Sequence, residues 1–333
     1  MKLSTRETVH SVIIGLITIS IISCTKSESI VNTSEAPVDN SLQIEKKKSD
    51  SIIQDSIKRA AERIKFSSFL FPKNGKDSAM AAFSKEFTDE EQYTILALNR
   101  LDRKNRWRAD TLIIPEKIET DFLRYSPFPA RLDSLQAVKK MVFFSYAIHA
   151  YALYEGGNLV KWGPSSLGKK STPTKKGLMF ANWKKEVAIS TSNSEWKLRW
   201  NFNIHNTAGI GWHQYDLPGF HASHSCLRLL EEDAKWMYTW ADQWILANQG
   251  QTVAAKGTPV IVFGEADFTT KPWLKLLSDP TANDISVEEM NGVFVPHLEE
   301  ILSEQKNSEE LRSKQLLSSE KEKGALRNKK EAA

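Results

Sequence analysis

The sequence is poor in cysteine, with only Cys24 and Cys226 among 333 residues. Two thiols so far apart argue against a disulfide framework, and each needs its own explanation. The chain also lacks a strong charge of either sign, since 45 basic and 41 acidic residues leave a formal net charge of +4. This balance gives no general electrostatic case for nucleic acid, and we expect no nucleic-acid partner.

Long hydrophobic runs are also missing, and the run at the N-terminus is short. After Lys2 and Arg6, residues 9–22 are almost wholly apolar or hydroxylated. This run is shorter than the roughly 20 residues of a membrane-spanning helix but suits a secretory signal. It ends in Ile-Ile-Ser before Cys24, which resembles the bacterial lipobox. The resemblance implies a signal peptide over residues 1–23 and a lipid on Cys24 that holds the protein at the outer membrane, facing the periplasm. A plain signal peptide with an incidental cysteine is the alternative.

A tether and a small α+β unit are predicted next. Residues 24–50 are polar and have no aromatic side chain, which predicts a flexible tether. Apolar residues recur at helical spacing from Ser51 to Phe69 and predict an amphipathic helix. In residues 93–115 an apolar helix, a basic turn and a strand-like end resemble the second half of a LysM peptidoglycan-binding repeat. We therefore assign residues 51–120 to a helix and a LysM-like unit, with a plain helix-turn-strand unit as the alternative.

From residue 137 onward the pattern changes to strands. Residues 140–154 are dense in β-branched and aromatic residues, and Glu155–Asn158 has the composition of a hairpin turn. Further strands are predicted at 159–162, 177–183, 186–190, 198–204 and 258–263. Acidic residues open a predicted helix over 231–247, whose Trp236, Trp240 and Trp244 are expected to pack in the core.

Four of the seven histidines lie just before the second cysteine. They are His205, His213, His221 and His224, followed by Cys226. Histidine and cysteine are zinc ligands, but their spacing here matches no structural zinc motif, and no partner Cys-x-x-Cys exists. The same residues suit nucleophilic catalysis, since a thiol with a pKa of about 8.5 needs a neighbouring base or positive charge. Both interpretations stay open on the residues alone, although we expect no metal.

In the nucleophilic interpretation, Cys226 attacks a carbonyl group. His205 takes the thiol proton, and Arg228 stabilises the anion. The backbone N–H groups of Ser225 and Cys226 are candidates for an oxyanion hole. A β-hairpin between His205 and Cys226 is needed to bring the two side chains together.

The cluster resembles the signature of the L,D-transpeptidase (YkuD-type) catalytic domain, with His205, seventeen further residues and then Ser223-His224-Ser225-Cys226-Leu227-Arg228. Residues 171–180 and 257–262 resemble flanking motifs of the same family. One departure is Ser225, which stands where the family most often has Gly. If that position needs a positive φ, serine is strained there.

The resemblance implies the fold as well. We expect a mainly β catalytic domain over residues 137–265, a β-sandwich or barrel with one packed helix, preceded by the small α+β unit. Residues 266–333 are a C-terminal extension, whose charged tail is expected to be helical or disordered.

The resemblance also implies a reaction on peptidoglycan stem peptides. Cys226 attacks the peptide bond after the third residue, His205 is the base, and Ser223 and His224 shape the oxyanion pocket. Asn206, Trp212 and Arg228 are expected to contact the substrate, whereas His213 and His221 are expected to be loop residues near the cleft. D-Ala leaves, and an amine resolves the thioester into a three-to-three crosslink or anchors a protein. No cofactor is implied.

Two other functions remain open. The first is hydrolysis of the same stems, by an L,D-carboxypeptidase or an endopeptidase. The second is a non-catalytic lipoprotein that binds the cell wall. The oligomeric state is left open.

Overall fold

The structure, a computed structural model, describes residues 63–190 and 192–331, with side chains up to residue 314. These residues fall within one compact unit, Asp55–Ala333. The predicted signal peptide, Cys24, the tether and most of the helix predicted from Ser51 lie outside the described residues.

The first described part is a β-α-α-β unit. It consists of β1 (Phe66–Leu70), α1 (Lys76–Glu86), α2 (Asp89–Leu98) and β2 (Thr111–Pro115), and its two strands pair antiparallel. A capping box of Thr88 and Glu91 begins α2, because each side chain accepts the other's backbone N–H. The helix, turn and strand predicted over residues 93–115 are all present. Glycan binding by this unit stays a prediction.

The predicted helix Ser51–Phe69 is wrong at its C-terminal end, where residues 66–70 form β1. The Phe69 ring lies 5.5 Å from the ring of Phe71 and 5.6 Å from that of Phe83, measured between centroids. Strand pairing with β2 satisfies the backbone, and the aromatic cluster favours this end of the segment as strand. The helical spacing of the preceding residues reveals neither the pairing with β2 nor the aromatic contacts, so the prediction extended the helix too far.

Two β-sheets follow, with one helix packed against them. The elements are β3 (Met141–Ser145), β4 (Ala150–Glu155), β5 (Asn158–Pro164), β6 (Gly177–Phe180), β7 (Lys184–Ile189), β8 (Lys197–His205), β9 (Ile210–Gln214), β10 (Leu227–Leu229), α3 (Glu231–Trp240), β11 (Ile245–Ala247), β12 (Thr252–Ala255) and β13 (Pro259–Phe263). One sheet has the order β5–β4–β3–β13–β6, and the other has the order β10–β9–β8–β7. The short strands β11 and β12 pair separately.

The two larger sheets share a hydrophobic core. Phe144 of β3 and Trp212 of β9 belong to the same buried cluster. Because side chains alternate along a strand, Phe143 points to the opposite face of its sheet, where it packs with Phe294 of the C-terminal extension. The mainly β fold class with few helices is therefore confirmed.

The predicted hairpin turn after β4 is present, with Glu155 paired to Asn158. Gly156 and Gly157 have φ angles of 53° and 80°, the left-handed conformation that a two-residue type I′ turn requires. A Cβ at Gly157 would lie 2.4 Å from the carbonyl oxygen of Leu132, so only glycine fits.

The helix predicted over residues 231–247 is wrong in its second half, because α3 ends at Trp240. The chain then bonds to two neighbouring segments: Asp242 N–H donates to Thr258 Oγ1, and Trp244 N–H donates to the carbonyl of Asn182. These non-local hydrogen bonds end the helix.

The core face of α3 is also not the one predicted. Ala234 and Met237 are buried, whereas Trp236 is 37% exposed and stacks on Trp240 with ring centroids 5.5 Å apart. Lys161 lies over the Trp236 ring. The expectation of core packing is therefore wrong for Trp236.

The C-terminal extension contains α4 (Val287–Phe294) and α5 (Leu298–Glu331). The first turns of α5 pack on the rest of the unit, since Ile301 is buried and the Gln305 side chain bonds the backbone of Ala137 and Lys139. The charged tail, expected from the sequence to be either helical or disordered, is helical. Among the described residues no helix is both long enough and apolar enough to cross a membrane.

Candidate active site

Cys226 and His213 lie on the same face of the four-stranded sheet. β9 and β10 are parallel neighbours, with Leu227 opposite Trp212 and Arg228 opposite His213. Leu227 and Trp212 are fully buried in the core between the sheets. Since side chains alternate along a strand, His213, Arg228 and Cys226 point away from that core and line a cleft.

The cleft holds about 910 Å³ of empty space, part of it open to solvent. Besides the catalytic candidates, its walls carry several apolar side chains: Trp183, Ala188, Ile189, Trp196 and Leu198. Polar side chains such as Asn201 and Asn203 line it as well, so the cleft offers a substrate both apolar contacts and hydrogen-bond partners.

Cys226 is half-buried, and its thiol is free. The thiol donates to the carbonyl oxygen of Gly209, which lies 3.7 Å from Sγ. Burial raises the pKa of the Cys226 thiol, opposed by a hydrogen bond from the backbone of Gly211 and by the charge of Arg228. The resting group at neutral pH is therefore a thiol rather than a thiolate, and it needs a base to become a nucleophile.

His213 has the hydrogen bonding of such a base. Its Nδ1 lies 2.9 Å from the carbonyl oxygen of Gln214, and because a carbonyl only accepts, Nδ1 carries the proton and Nε2 keeps its lone pair. Burial lowers the pKa of His213 to about 4, helped by the charge of Arg228 and opposed by the Gln214 hydrogen bond. The ring is therefore neutral at pH 7. His213 stands opposite Arg228 in the parallel strand pair, and it lines the same cleft as Cys226.

His205, the base predicted from the sequence, is the last residue of β8 and is not among the residues that line the cleft. Its Nδ1 accepts the N–H of Ala208 at 3.2 Å, and its Nε2 lies 3.1 Å from Nζ of Lys175. Its ring contacts the segment that Cys226 also contacts, because Cys226 Sγ bonds the carbonyl of Gly209, the residue after Ala208. A neutral imidazole has one acceptor nitrogen, and both nitrogens of His205 face a donor, so that acceptor is already engaged in this structure.

The turn that carries the nucleophile is clamped by a neighbouring loop. Ser223 is buried, and its hydroxyl donates to the carbonyl of Cys226. Thr172 Oγ1 donates to the carbonyl of Ser223 at 3.1 Å, and Thr174 Oγ1 donates to that of Ser225 at 2.9 Å. The stretch 171–180, noted in the sequence only as a flanking motif, thus holds the turn in shape. Ser223 stabilises the turn through its bond to the backbone, and it also belongs to the lining of the cleft.

Ser225 has a φ angle of 77°, the left-handed conformation that glycine adopts without strain. Its hydroxyl donates to the carbonyl of Thr172 at 3.3 Å. We expect Ser225→Gly to be more stable than Ser225→Ala by about 1 kcal/mol in urea unfolding, because alanine keeps the backbone strain and loses the hydroxyl bond. Equal stability of the two variants would show that the turn stores no strain at this residue.

Arg228 lines the cleft, and two of its side-chain nitrogens donate to backbone carbonyls. Nη1 donates to the carbonyl of Asp216 at 3.3 Å and Nη2 to that of Ala222 at 3.1 Å. The guanidinium lies over the ring of Tyr215, 4.6 Å from its centroid. No carboxylate pairs with it among the described residues, so its charge remains available to the thiolate or an anionic substrate group.

His224 and Asn206 also line the cleft. His224 is exposed, with its ring 5.0 Å from that of Trp196 and Nε2 3.2 Å from Nζ of Lys169. Asn206 Oδ1 accepts the indole N–H of Trp183 at 2.9 Å. Both residues are therefore placed to touch a bound substrate, at the mouth of the cleft.

Two expectations about nearby residues are wrong. Trp212 does not contact substrate, because the alternation of β9 turns it into the core, where it is completely buried against Phe202. His213 lines the cleft but belongs to β9 rather than to a loop. His221 lies in a loop, as expected, and it is buried, stacked on His149 with ring centroids 3.6 Å apart.

Sequence reasoning missed His213 because the signature spacing pointed to His205. From His213 to Ser223 only nine residues intervene, fewer than that signature allows. The available signal was the alternation in Ile210-Gly-Trp212-His213, which puts the imidazole opposite the large apolar side chains.

One family model matches this chain. Residues 140–262 match the family model described as YkuD, the L,D-transpeptidase catalytic domain. Similar solved structures include an L,D-transpeptidase from Stackebrandtia nassauensis (22% identity, covering 39% of this chain and 58% of that one, TM-score 0.32). L,D-transpeptidase 1 from Mycobacterium tuberculosis is 22% identical, covering 38% of this chain and 63% of that one, with a TM-score of 0.30. An L,D-transpeptidase from Mycobacterium smegmatis is 20% identical, covering 38% of this chain and 59% of that one, with a TM-score of 0.30. This chain spans less than two thirds of the length of each. No curated protein matches it.

Proposed function

We propose that this protein is a cysteine-dependent L,D-transpeptidase that acts on peptidoglycan stem peptides, with His213 as the base in place of His205. One observation carries the proposal: within the matched domain, a free thiol and a neutral imidazole with an unprotonated Nε2 share one face of adjacent strands. Thiol and imidazole both rest uncharged. The proton therefore moves during the attack itself, as general-base catalysis requires.

The acylation step follows from this pair. Nε2 of His213 takes the proton of Sγ while Sγ bonds to the carbonyl carbon between the third residue and D-Ala. The C–N bond then breaks, and the proton on His213 passes to the leaving amine of D-Ala. A thioester on Cys226 remains. The N–H groups of Ser225 and Cys226 are the proposed donors to the oxyanion.

In the second half-reaction an acceptor amine attacks the thioester. His213 removes a proton from the amine and returns one to Sγ as the C–S bond breaks. Arg228, His224 and Asn206 are proposed to hold the anionic and polar groups of the stem, since all three line the cleft beside Cys226. An amine of a second stem gives a three-to-three crosslink, and water in its place gives a trimmed stem.

We also propose that a lipid on Cys24 anchors the chain at the outer membrane, facing the periplasm. Support comes from the sequence alone: the short hydrophobic run and the Ile-Ile-Ser-Cys ending. Such an anchor puts the thiol where peptidoglycan lies.

The test incubates purified protein with tetrapeptide stems and follows the muropeptides by mass spectrometry, beside Cys226→Ala as the matched control. We expect crosslinked dimers and released D-Ala from the wild type and neither from the variant. Tripeptide stems without dimers would show that the protein hydrolyses the stems instead of transferring them to an amine. Unchanged stems would overturn the enzymatic proposal, and retention of the protein on sacculi would then favour a wall-binding role.

A further inference from the structure

A nine-residue connection, residues 214–222, joins the strand of His213 to the nucleophile turn. Its middle is hydrogen-bonded to the turn after α2, Asn99–Asp102 (the α2 turn). We infer that the α2 turn positions the active-site connection, with Asp102 as the positioning residue. The β-α-α-β unit is then part of the catalytic apparatus rather than a separate binding module. This inference rests on the proposed pairing of His213 with Cys226.

Asp102 both donates a hydrogen bond to the connection and accepts one from it. Its backbone N–H donates to the carbonyl of Leu217 at 3.0 Å, and its Oδ2 accepts the N–H of Leu217 at 2.6 Å. On either side, Leu101 forms a β-bridge with Pro218, and the carbonyl of Arg100 accepts the N–H of Gly219 at 3.0 Å. Three consecutive residues of the connection are therefore bonded to three consecutive residues of the turn.

The Asp102 carboxylate is itself oriented by its neighbours. Oδ1 accepts the backbone N–H of Asn105 at 2.9 Å, and Oδ2 also accepts the Asn105 side-chain amide at 2.8 Å. Hydrogen bonds to an ionised carboxylate are stronger than those between neutral groups. The carboxylate oxygen that accepts the Leu217 N–H is therefore also held in place by Asn105.

The α2 turn is in turn rigidly fixed to the fold. Asn99 bonds Ile113 in both directions, through Nδ2 to its carbonyl and through Oδ1 from its N–H, each at 2.9 Å. Arg100 is 3% exposed, with Nε donating to the carbonyl of Ile148 at 3.1 Å and Nη1 to that of Leu98 at 2.6 Å. A buried guanidinium bonded to the backbone of two segments leaves the turn little freedom to move.

The ends of the connection are held by the catalytic domain instead. Arg228 bonds the carbonyls of Asp216 and Ala222, and Tyr215 N–H donates to the carbonyl of Leu229. Only the middle therefore depends on Asp102. The connection begins at Gln214, whose carbonyl fixes the tautomer of His213. A loosened middle would let that carbonyl and the imidazole shift together relative to Sγ.

The test compares Asp102→Ala with Asp110→Ala. Asp110 belongs to the same β-α-α-β unit and pairs with Lys76 at 2.9 Å, so the control removes a carboxylate of that unit that does not bond the connection. A misplacement of the order of 1 Å costs about 10²-fold in rate. We expect Asp102→Ala to lower kcat for stem turnover by about 10- to 100-fold with KM nearly unchanged, and Asp110→Ala to stay within about twofold.

Asp102→Asn provides the conservative rescue, because its amide oxygen still accepts the N–H of Leu217. It should recover most of kcat. Hydrogen exchange should show residues 215–220 opening in Asp102→Ala and remaining protected in Asp110→Ala. The inference is overturned if exchange in this segment is unchanged, or if it opens while kcat stays at the wild-type value.

Alkylation of Cys226 by iodoacetamide separates this inference from the proposed function, because it needs no stem peptide. If alkylation depends on His213 but not on Asp102, the inference fails and the catalytic pair stands. If alkylation is independent of His213, the catalytic pair itself fails.

Discussion

Replacing His213 by glutamine is expected to slow acylation of Cys226 by roughly 10²–10⁴-fold, the usual contribution of a general base. Glutamine has a similar size but cannot accept the thiol proton. The matched variant His205→Gln should acylate within a few-fold of wild type, since both nitrogens of His205 already face Ala208 and Lys175. A carbapenem, whose strained amide acylates thiols, allows the adduct on Cys226 to be timed by intact-protein mass spectrometry.

The pH dependence of the acylation rate provides a second test of which histidine is the base. Burial lowers the pKa of His213 to about 4 and raises that of the Cys226 thiol. Between pH 5 and 8 both groups keep one protonation state, so the wild-type acylation rate should be nearly flat there. Loss of acylation in His205→Gln, with His213→Gln unaffected, would return the role of base to His205.

Replacing Trp212 by alanine is expected to lower the free energy of unfolding by about 3–5 kcal/mol, the range for large aromatic side chains removed from a core. Trp212 is completely buried, and its ring centroid lies 4.7 Å from that of Phe202 and 6.5 Å from that of Phe144. The cost is that of an unfilled cavity between the two sheets. Urea unfolding followed by circular dichroism measures it.

Trp196→Ala is the control for this substitution, because Trp196 lines the cleft and packs on the exposed ring of His224. It should cost much less stability and should raise KM for stem peptides. If Trp212→Ala instead unfolds like wild type and loses only substrate affinity, the assignment of Trp212 to the core is wrong and its predicted contact with substrate is restored.

The features that local chemistry determines could be predicted from the sequence. Gly156-Gly157 imposes a tight turn whatever surrounds it, and the acidic residues at Glu231 begin α3 where the structure has it. The strain at Ser225 was also foreseeable, because the related signature has glycine where serine stands. Cys226 was identified by the same signature, and it lies in the cleft.

The features that depend on strand register could not be predicted in this way. His213 lines the cleft, and only the order β10–β9–β8 shows that its strand, and not that of His205, adjoins the strand that follows Cys226. The end of α3 was missed because its hydrogen bonds go to Thr258 and Asn182, far away in sequence. The docking of Asp102 on Leu217 joins residues more than a hundred positions apart and leaves no local trace.

The uncharged resting state of the thiol bears on how long the thiol survives. A cysteine thiolate, and not the thiol, attacks peroxides and disulfides and is oxidised by them, so the rate of such damage rises with the fraction that is ionised. A sulfur that burial keeps protonated between turnovers is largely protected from this damage. At the proposed periplasmic location, this protection would preserve the nucleophile until a substrate arrives.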